Sequence, residues 1–202
     1  AGPWAVSSWR PDGGDDGDGA AARAVPLPPV PGVDSVLACV LADGTAVVAS
    51  GSASTRSNGV YLHTNCGGGA SAGWTYHGKL EGHENWISAL DFSAGTRRLA
   101  SGDREGKIRL WDLVAAAAAA PDAGAAGYDD ARLRIASRSG PVEVHLRSLL
   151  LGHEDAVSSV RFAPDGAALL SSSLDRSVFL WTPDADDPSC WSPSARVGAA
   201  GG

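Results

Sequence analysis

The chain repeats itself. Lys79–Asp112 lies over Leu149–Thr182 without a gap, at an offset of 70. Leu80/Leu150, Gly82/Gly152, His83/His153, Glu84/Glu154, Ser88/Ser158, Phe92/Phe162, Leu99/Leu169, Ser101/Ser171, Leu110/Leu180 and Trp111/Trp181 are identical pairs. Ile87/Val157, Leu90/Val160 and Ile108/Val178 exchange one strand-forming apolar residue for another. An ungapped internal repeat constrains the fold more tightly than any single residue, because each copy must be one structural unit that buries its faces against its neighbours.

Each copy reads as short strands separated by turns. The first gives strands at Trp86–Phe92, Arg97–Ser101 and Lys107–Trp111; the second gives Ala156–Phe162, Ala167–Ser172 and Ser177–Trp181. In Pro164-Asp165-Gly166 the proline presets φ, the aspartate bonds the backbone and the glycine accepts positive φ, so this is a turn with a mechanism. Neighbouring residues such as Leu99-Ala100 and Leu169-Leu170 leave neither strand face polar. A sheet with one wet face would alternate, so these sheets are expected to lie between neighbours.

Val33–Leu80 reads as a degenerate third copy. It has strands at Val33–Leu41, Ala46–Ser50, Gly59–His63 and Trp74–Leu80, with His63 where the later copies carry Trp. The remaining strands are expected at Val142–Leu149 and Cys190–Val197, and Leu113–Gly140, with its alanine run, as an insertion loop. The expected units are residues 33–80, 81–149 with the insertion at 113–140, and 150–202. Residues 1–32 form an acidic, Pro-rich linker or incoming strand.

Composition narrows the function. The formal charge is −7 and only two of the 202 residues are Lys, which disfavours binding to a phosphate backbone. Three widely spaced cysteines, Cys39, Cys66 and Cys190, suggest a reducing compartment and no disulfide framework. No apolar run is long enough for a membrane helix. A chain that begins Ala1-Gly2-Pro3, without Met, and ends Gly201-Gly202 is expected to be a fragment. The acidic run Gly13–Gly19 lacks the closing Glu of an EF-hand, and Asn65–Ala72 lacks the Lys-Ser/Thr of a phosphate loop. His63, His77 and His145 do not have metal-ligand spacing, and Cys66 with His77 is too sparse for zinc. No cofactor or metal site is expected.

Gly-His, about thirty residues, then Trp-Asp, on four short antiparallel strands, resembles the WD40 repeat. The resemblance implies an all-β fold, a WD40 β-propeller, here three four-stranded antiparallel blades of an incomplete, open ring. It also implies a hydrogen-bonded set within each blade: His83, Ser101, Glu105 and Trp111 in one, His153, Ser171, Asp175 and Trp181 in the next. Glu105 departs from the family's Asp, and Thr182 replaces the Asp that follows the Trp. A serine-hydrolase reading of His, Ser and acid is set aside, since the trio recurs in both copies at equal spacing and no Gly-x-Ser-x-Gly elbow accompanies it.

A finer resemblance rests on Tyr76–Ile87, on Ser148–Val160, and on Leu169–Asp184 followed by Trp191 and Arg196-Val197-Gly198. These stretches resemble the family of the second Elongator subunit. That implies a non-catalytic scaffold, cytoplasmic and nuclear, holding the scaffold and catalytic subunits of a complex that modifies wobble uridine in transfer RNA. The segment itself is expected to touch neither nucleic acid nor membrane. The alternative is a WD40 adaptor that presents peptides, for example to a ubiquitin ligase. Arg56, Arg104, Arg109 and Arg176 would have to converge for that role, and Trp4, Trp74, Tyr128 and Trp191 are the aromatic residues left for partner contact or blade-edge packing.

Overall fold

The computed structural model of the chain describes residues 5–6, 25–26, 33–52, 58–66, 73–116 and 132–198. Near the N-terminus β1 (Ala5–Val6) and β2 (Val25–Pro26) form a two-stranded antiparallel pair. Trp4, Trp9, the acidic run at 13–19, Arg56, most of the glycine-rich loop and the alanine run lie outside the described residues.

Three larger antiparallel sheets follow. The first holds β3 (Val33–Val40), β4 (Ala46–Ser52), β5 (Val60–Asn65) and β6 (Thr75–Leu80), in that spatial order. The second holds β7 (Ile87–Ser93), β8 (Arg98–Asp103), β9 (Ile108–Ala115), β10 (Leu133–Ser137) and β11 (Gly140–Leu150), in the order β10-β11-β9-β8-β7. The third holds β12 (Val157–Phe162), β13 (Leu169–Ser173), β14 (Ser177–Pro183) and β15 (Trp191–Gly198), again in chain order. The described residues contain no helix.

The sheets stack as blades. β7 packs on β3 and β4, and β12 packs on β7 and β8. The first strand of each blade therefore meets the first strand of the blade before it, which is the radial arrangement of an open propeller. Two apolar cores fill the gaps. Val47, Leu62, Ile87, Leu99, Trp111 and Val144 join the first two blades; Ala100, Ile108, Leu110, Val157, Leu169 and Trp181 join the last two. Leu110 and Trp111 are adjacent in sequence and point into different cores, each with no exposed surface. That is why the strands do not alternate apolar with polar residues. Each such side chain contributes about 1.5–3 kcal/mol by leaving water.

Close approach between blades selects two glycines. A Cβ at Gly51 would lie 2.6 Å from the Ile87 side chain, and one at Gly102 would lie 2.6 Å from that of Val157. Ile87 and Val157 are the equivalent first-strand residues of successive blades, so the missing side chain on one blade makes room for the branched side chain on the next. Polar clasps supplement the packing. Ser88 Oγ donates to Val157 O (2.5 Å), and Asp91 Oδ2 accepts the Phe162 N–H (2.6 Å). Asp112 holds Arg98 (3.1 Å) and Arg147, and Arg147 reaches Pro188 O of the next blade (2.5 Å).

The structure corrects the expected insertion loop and the count of four strands in the middle blade. β9 runs on to Ala115, and Leu133–Ser137 form a fifth strand paired with β11. The physical reason is the alternation Leu133, Ile135 on a short segment. Ile135 is 1% exposed, so one face of the strand is buried against the first blade, and pairing with β11 satisfies its backbone on one side.

Candidate functional site

The residues with the most chemistry in them are the buried hydroxyls, imidazoles and acids inside the second and third blades. In the second blade His83 comes from the loop before β7, Ser101 and Asp103 from β8, and Trp111 from β9. His83 Nε2 lies 2.7 Å from Ser101 Oγ, and Trp111 Nε1 donates to the same oxygen at 2.9 Å. His83 Nδ1 lies 2.7 Å from Asp103 Oδ2. Asp103 Oδ1 accepts the N–H groups of Glu105 (2.9 Å) and Lys107 (3.0 Å).

Donor and acceptor inventory fixes the direction of the chain. The indole can only donate, so Ser101 Oγ accepts from it and turns its own hydrogen toward His83 Nε2. The carboxylate can only accept, so Nδ1 carries the imidazole proton. Burial pushes the His83 pKa below its ordinary value, more than the hydrogen bond and charge of Asp103 raise it, with Arg109 and Lys107 adding to the depression. The ring is neutral at pH 7 and every polar atom in the set has a partner.

The third blade builds the same chain with one change. Ser171 Oγ lies 2.7 Å from His153 Nε2 and accepts from Trp181 Nε1 at 2.8 Å. At Nδ1 the ring meets Ser177 Oγ at 2.9 Å and Asp175 Oδ2 at 3.3 Å. Burial would raise the Asp175 carboxyl, but hydrogen bonds from Ser177, from the Glu154 and Ser177 N–H groups and from His153 hold it well below the usual carboxylate range. Burial again dominates for His153 and lowers its pKa.

His83, Ser101, Trp111, His153, Ser171, Asp175 and Trp181 thus come together as two sets. Glu105 does not join. Its carboxylate turns outward to Lys107 (3.1 Å) and Asn85 (3.3 Å), and Asp103 occupies the place beside His83. The reason is reach and parity. Asp103 is two residues from Ser101 on one strand, so both side chains point to the same face, whereas Glu105 sits in the turn with a longer side chain and a cation next to it. Alternation along β8 was the signal for Asp103. Ser177 gave no such signal, because the aligned residue is Lys107.

The first blade lacks the set. Ser50 and His63 stand where Ser101 and Trp111 stand in the next blade, and Ser50 Oγ and His63 Nδ1 are buried without a hydrogen-bond partner. No Gly-His imidazole serves them.

The order Ser–His–Asp in the second blade copies the connectivity of a hydrolase triad, but chemistry requires access. Ser101 is 0% exposed and Ser171 1%, and both hydroxyls are already taken by an indole. These sets tie strands together. Among the described residues no group of three or more His, Cys, Asp or Glu side chains is placed to hold a metal ion, and no helix is long and apolar enough to cross a membrane. Arg104 stacks on Trp86, 4.6 Å from the ring centroid, and Arg109 donates to Gly82 O (2.6 Å), so neither is aimed at a common point. Trp191 packs edge-on to Phe162 and is 6% exposed, which makes it blade packing; Trp74 is half-buried and Tyr128 is outside the described residues.

Comparison with known proteins agrees with this architecture. The family model described as "WD domain, G-beta repeat" matches residues 74–112 and 144–182. The chain is 33% identical over 135 residues to Elongator complex protein 2 of Danio rerio, covering 61% of this chain and 16% of that protein. It is 32% identical over 143 residues to the Homo sapiens protein of the same name (61% and 17%) and 28% identical over 138 residues to that of Saccharomyces cerevisiae (59% and 16%). The chain spans about one sixth of the length of these relatives.

Proposed function

From a chain that carries WD40 repeats and is similar to Elongator complex protein 2 of fish, human and yeast, we infer a non-catalytic scaffold that holds subunits of an Elongator complex in place. The observation that carries this reading is the pairing of two things. The similarity recurs in animals and yeast, and every Ser-His-acid set in the described blades is sealed from substrate. WD40 proteins present loops on a rigid frame, a form suited to recognition and not dependent on a reactive group. On this reading the partners are the other scaffold and catalytic subunits, the setting is cytoplasmic and nuclear, and the complex acts on the wobble uridine of transfer RNA. The charge of −7 argues that the segment meets protein, not nucleic acid.

The test is affinity purification of the full chain followed by mass spectrometry. Recovery of Elongator subunits in stoichiometric amounts is the expected result. Recovery of a cullin or F-box protein without any Elongator subunit would replace this reading with the ubiquitin-ligase adaptor.

A further inference from the structure

The hairpin joining β10 to β11 reaches back to the preceding blade. Ser139 donates both its N–H and its hydroxyl to Asp43 Oδ2, each at 2.8 Å. The Arg138 N–H donates to Thr45 Oγ1 (2.8 Å), the Arg138 Nε–H to Cys66 O (3.3 Å), and Cys66 Sγ to Ala136 O (3.4 Å). Beneath these bonds Ile135 is buried and the Leu133 side chain fills the space a Cβ would need at Gly78. The hairpin is a strap across two blades.

At its turn lies Ser137, whose Oγ donates to Gly140 O at 2.6 Å and sits 3.2 Å from Ser139 Oγ. The surrounding sequence is Arg132-Leu133-Arg134-Ile135-Ala136-Ser137-Arg138. Arginines therefore stand five and three residues before the hydroxyl and one after it, in a chain with few cations. Such spacing suits kinases that read substrates through acidic side chains in the peptide groove. Arg132 and Arg138 are exposed, and the only described strand partner of β10 is β11.

We propose that Ser137 is a phosphate-acceptor site for an arginine-directed protein kinase, and that the phosphate releases the strap from the preceding blade. In the reaction Ser137 Oγ attacks the terminal phosphorus of a nucleoside triphosphate. The new O–P bond forms as the bond to the bridging oxygen breaks, the diphosphate leaves, and the hydroxyl proton passes to the kinase's base. Ser137 is half-buried in the docked strap, so the kinase acts on the undocked form and the product cannot return. The reason is local. Phosphoserine has no hydroxyl hydrogen for Gly140 O, and it brings about −1.5 to −2 charge next to Ser139 and the Asp43 carboxylate. The nearest groups are the Gly140 carbonyl oxygen and the Ser139 hydroxyl, whose hydrogen is already given to Asp43. The Arg138 guanidinium already gives its Nε–H to Cys66 O, and Arg97 lines the same small cavity as Asp43, Ser137 and Ser139. This inference does not depend on the scaffold reading.

The test uses the full chain with the catalytic domain of an arginine-directed kinase and magnesium-ATP, mapped by tandem mass spectrometry, with Ser137→Ala and the double change Arg132→Gln/Arg134→Gln as controls. Phosphate is expected on Ser137 in the unaltered chain and in neither control. Hydrogen exchange at the Arg138 and Ser139 amides should then accelerate by roughly tenfold or more, the size of one or two lost hydrogen bonds, with no change at the Asp103-bonded amides of Glu105 and Lys107. Failure to phosphorylate Ser137 overturns the proposal. So does a phosphorylated chain whose Arg138 and Ser139 amides stay protected, which is the outcome if Arg97 captures the phosphate and the strap stays docked.

Discussion

Asp103 holds His83 through a 2.7 Å contact between Oδ2 and Nδ1, and the turn acid Glu105 does not touch the ring. Both side chains of the pair are inaccessible to solvent. Asp103 therefore fixes the tautomer of His83 and closes the β8–β9 turn at once.

That assignment separates two neighbouring acids. Asp103→Ala removes three hydrogen bonds, two of them to backbone N–H groups, and should cost about 3 kcal/mol or more. Glu105→Gln acts at an exposed rim and should stay within about 0.5 kcal/mol. Urea unfolding of the full chain, followed by tryptophan fluorescence, measures both. Equal losses would mean that the turn acid shares the role after all.

Ser101 and Ser171 each satisfy an indole and an imidazole. Ser101→Ala leaves Trp111 Nε1 and His83 Nε2 buried without partners, for a loss of about 2–4 kcal/mol; Ser171→Ala should behave alike. A structural role predicts lower unfolding midpoints and unchanged recovery of partners from the variant that remains folded. An esterase activity that Ser101→Ala abolishes without changing the midpoint would contradict it.

Acid should loosen the blades. His63, His77, His83 and His153 all have pKa values held below the reference of 6.5, with burial the largest cause in each. In the unfolded chain they bind protons as the pH falls through 6.5, while the folded chain resists. The unfolded state then carries more protons, so stability rises with pH in that window and falls on acidification. Asp43 and Asp175 add to the loss further down, below 3.8, since the fold holds both carboxyls ionised. The urea midpoint should be highest above about pH 6.5 and drop steadily by about pH 5.5. A flat profile over that range would remove the histidines from the account.

Gly106 is fixed by its neighbour more than by its own backbone. Its φ is 82°, yet Arg176, the equivalent residue one blade on, adopts 67° with a full side chain. What distinguishes Gly106 is that a Cβ there would lie 2.5 Å from the carbonyl oxygen of His153, which is backbone and cannot swing aside. Gly106→Ala should therefore cost about 2 kcal/mol and raise hydrogen exchange in the loop that carries His153. Arg176→Gly, in contrast, should be tolerated.

Much of this was legible in the chain itself. The 70-residue offset, the Gly-His and Trp anchors and the Pro-Asp-Gly turn determine blades, because a unit that repeats in register must bury the same faces each time. The two apolar faces of Leu99-Ala100 required neighbours on both sides, and both residues are buried; of Leu169-Leu170 only Leu169 is covered, while Leu170, 48% exposed, faces away from any blade among the described residues. Three things needed the tertiary structure. Alignment places the acid at Glu105, but side-chain reach and strand parity give the imidazole to Asp103. Periodicity is too short over Leu133–Ser137 to announce a strand; contact with the first blade makes it one. The glycines at 51, 102 and 106 look interchangeable in sequence, and only the approach of the next blade shows which atoms forbid a side chain. Local pattern sets what each strand can be, while distances between blades, which no local pattern contains, decide which of the available groups meet.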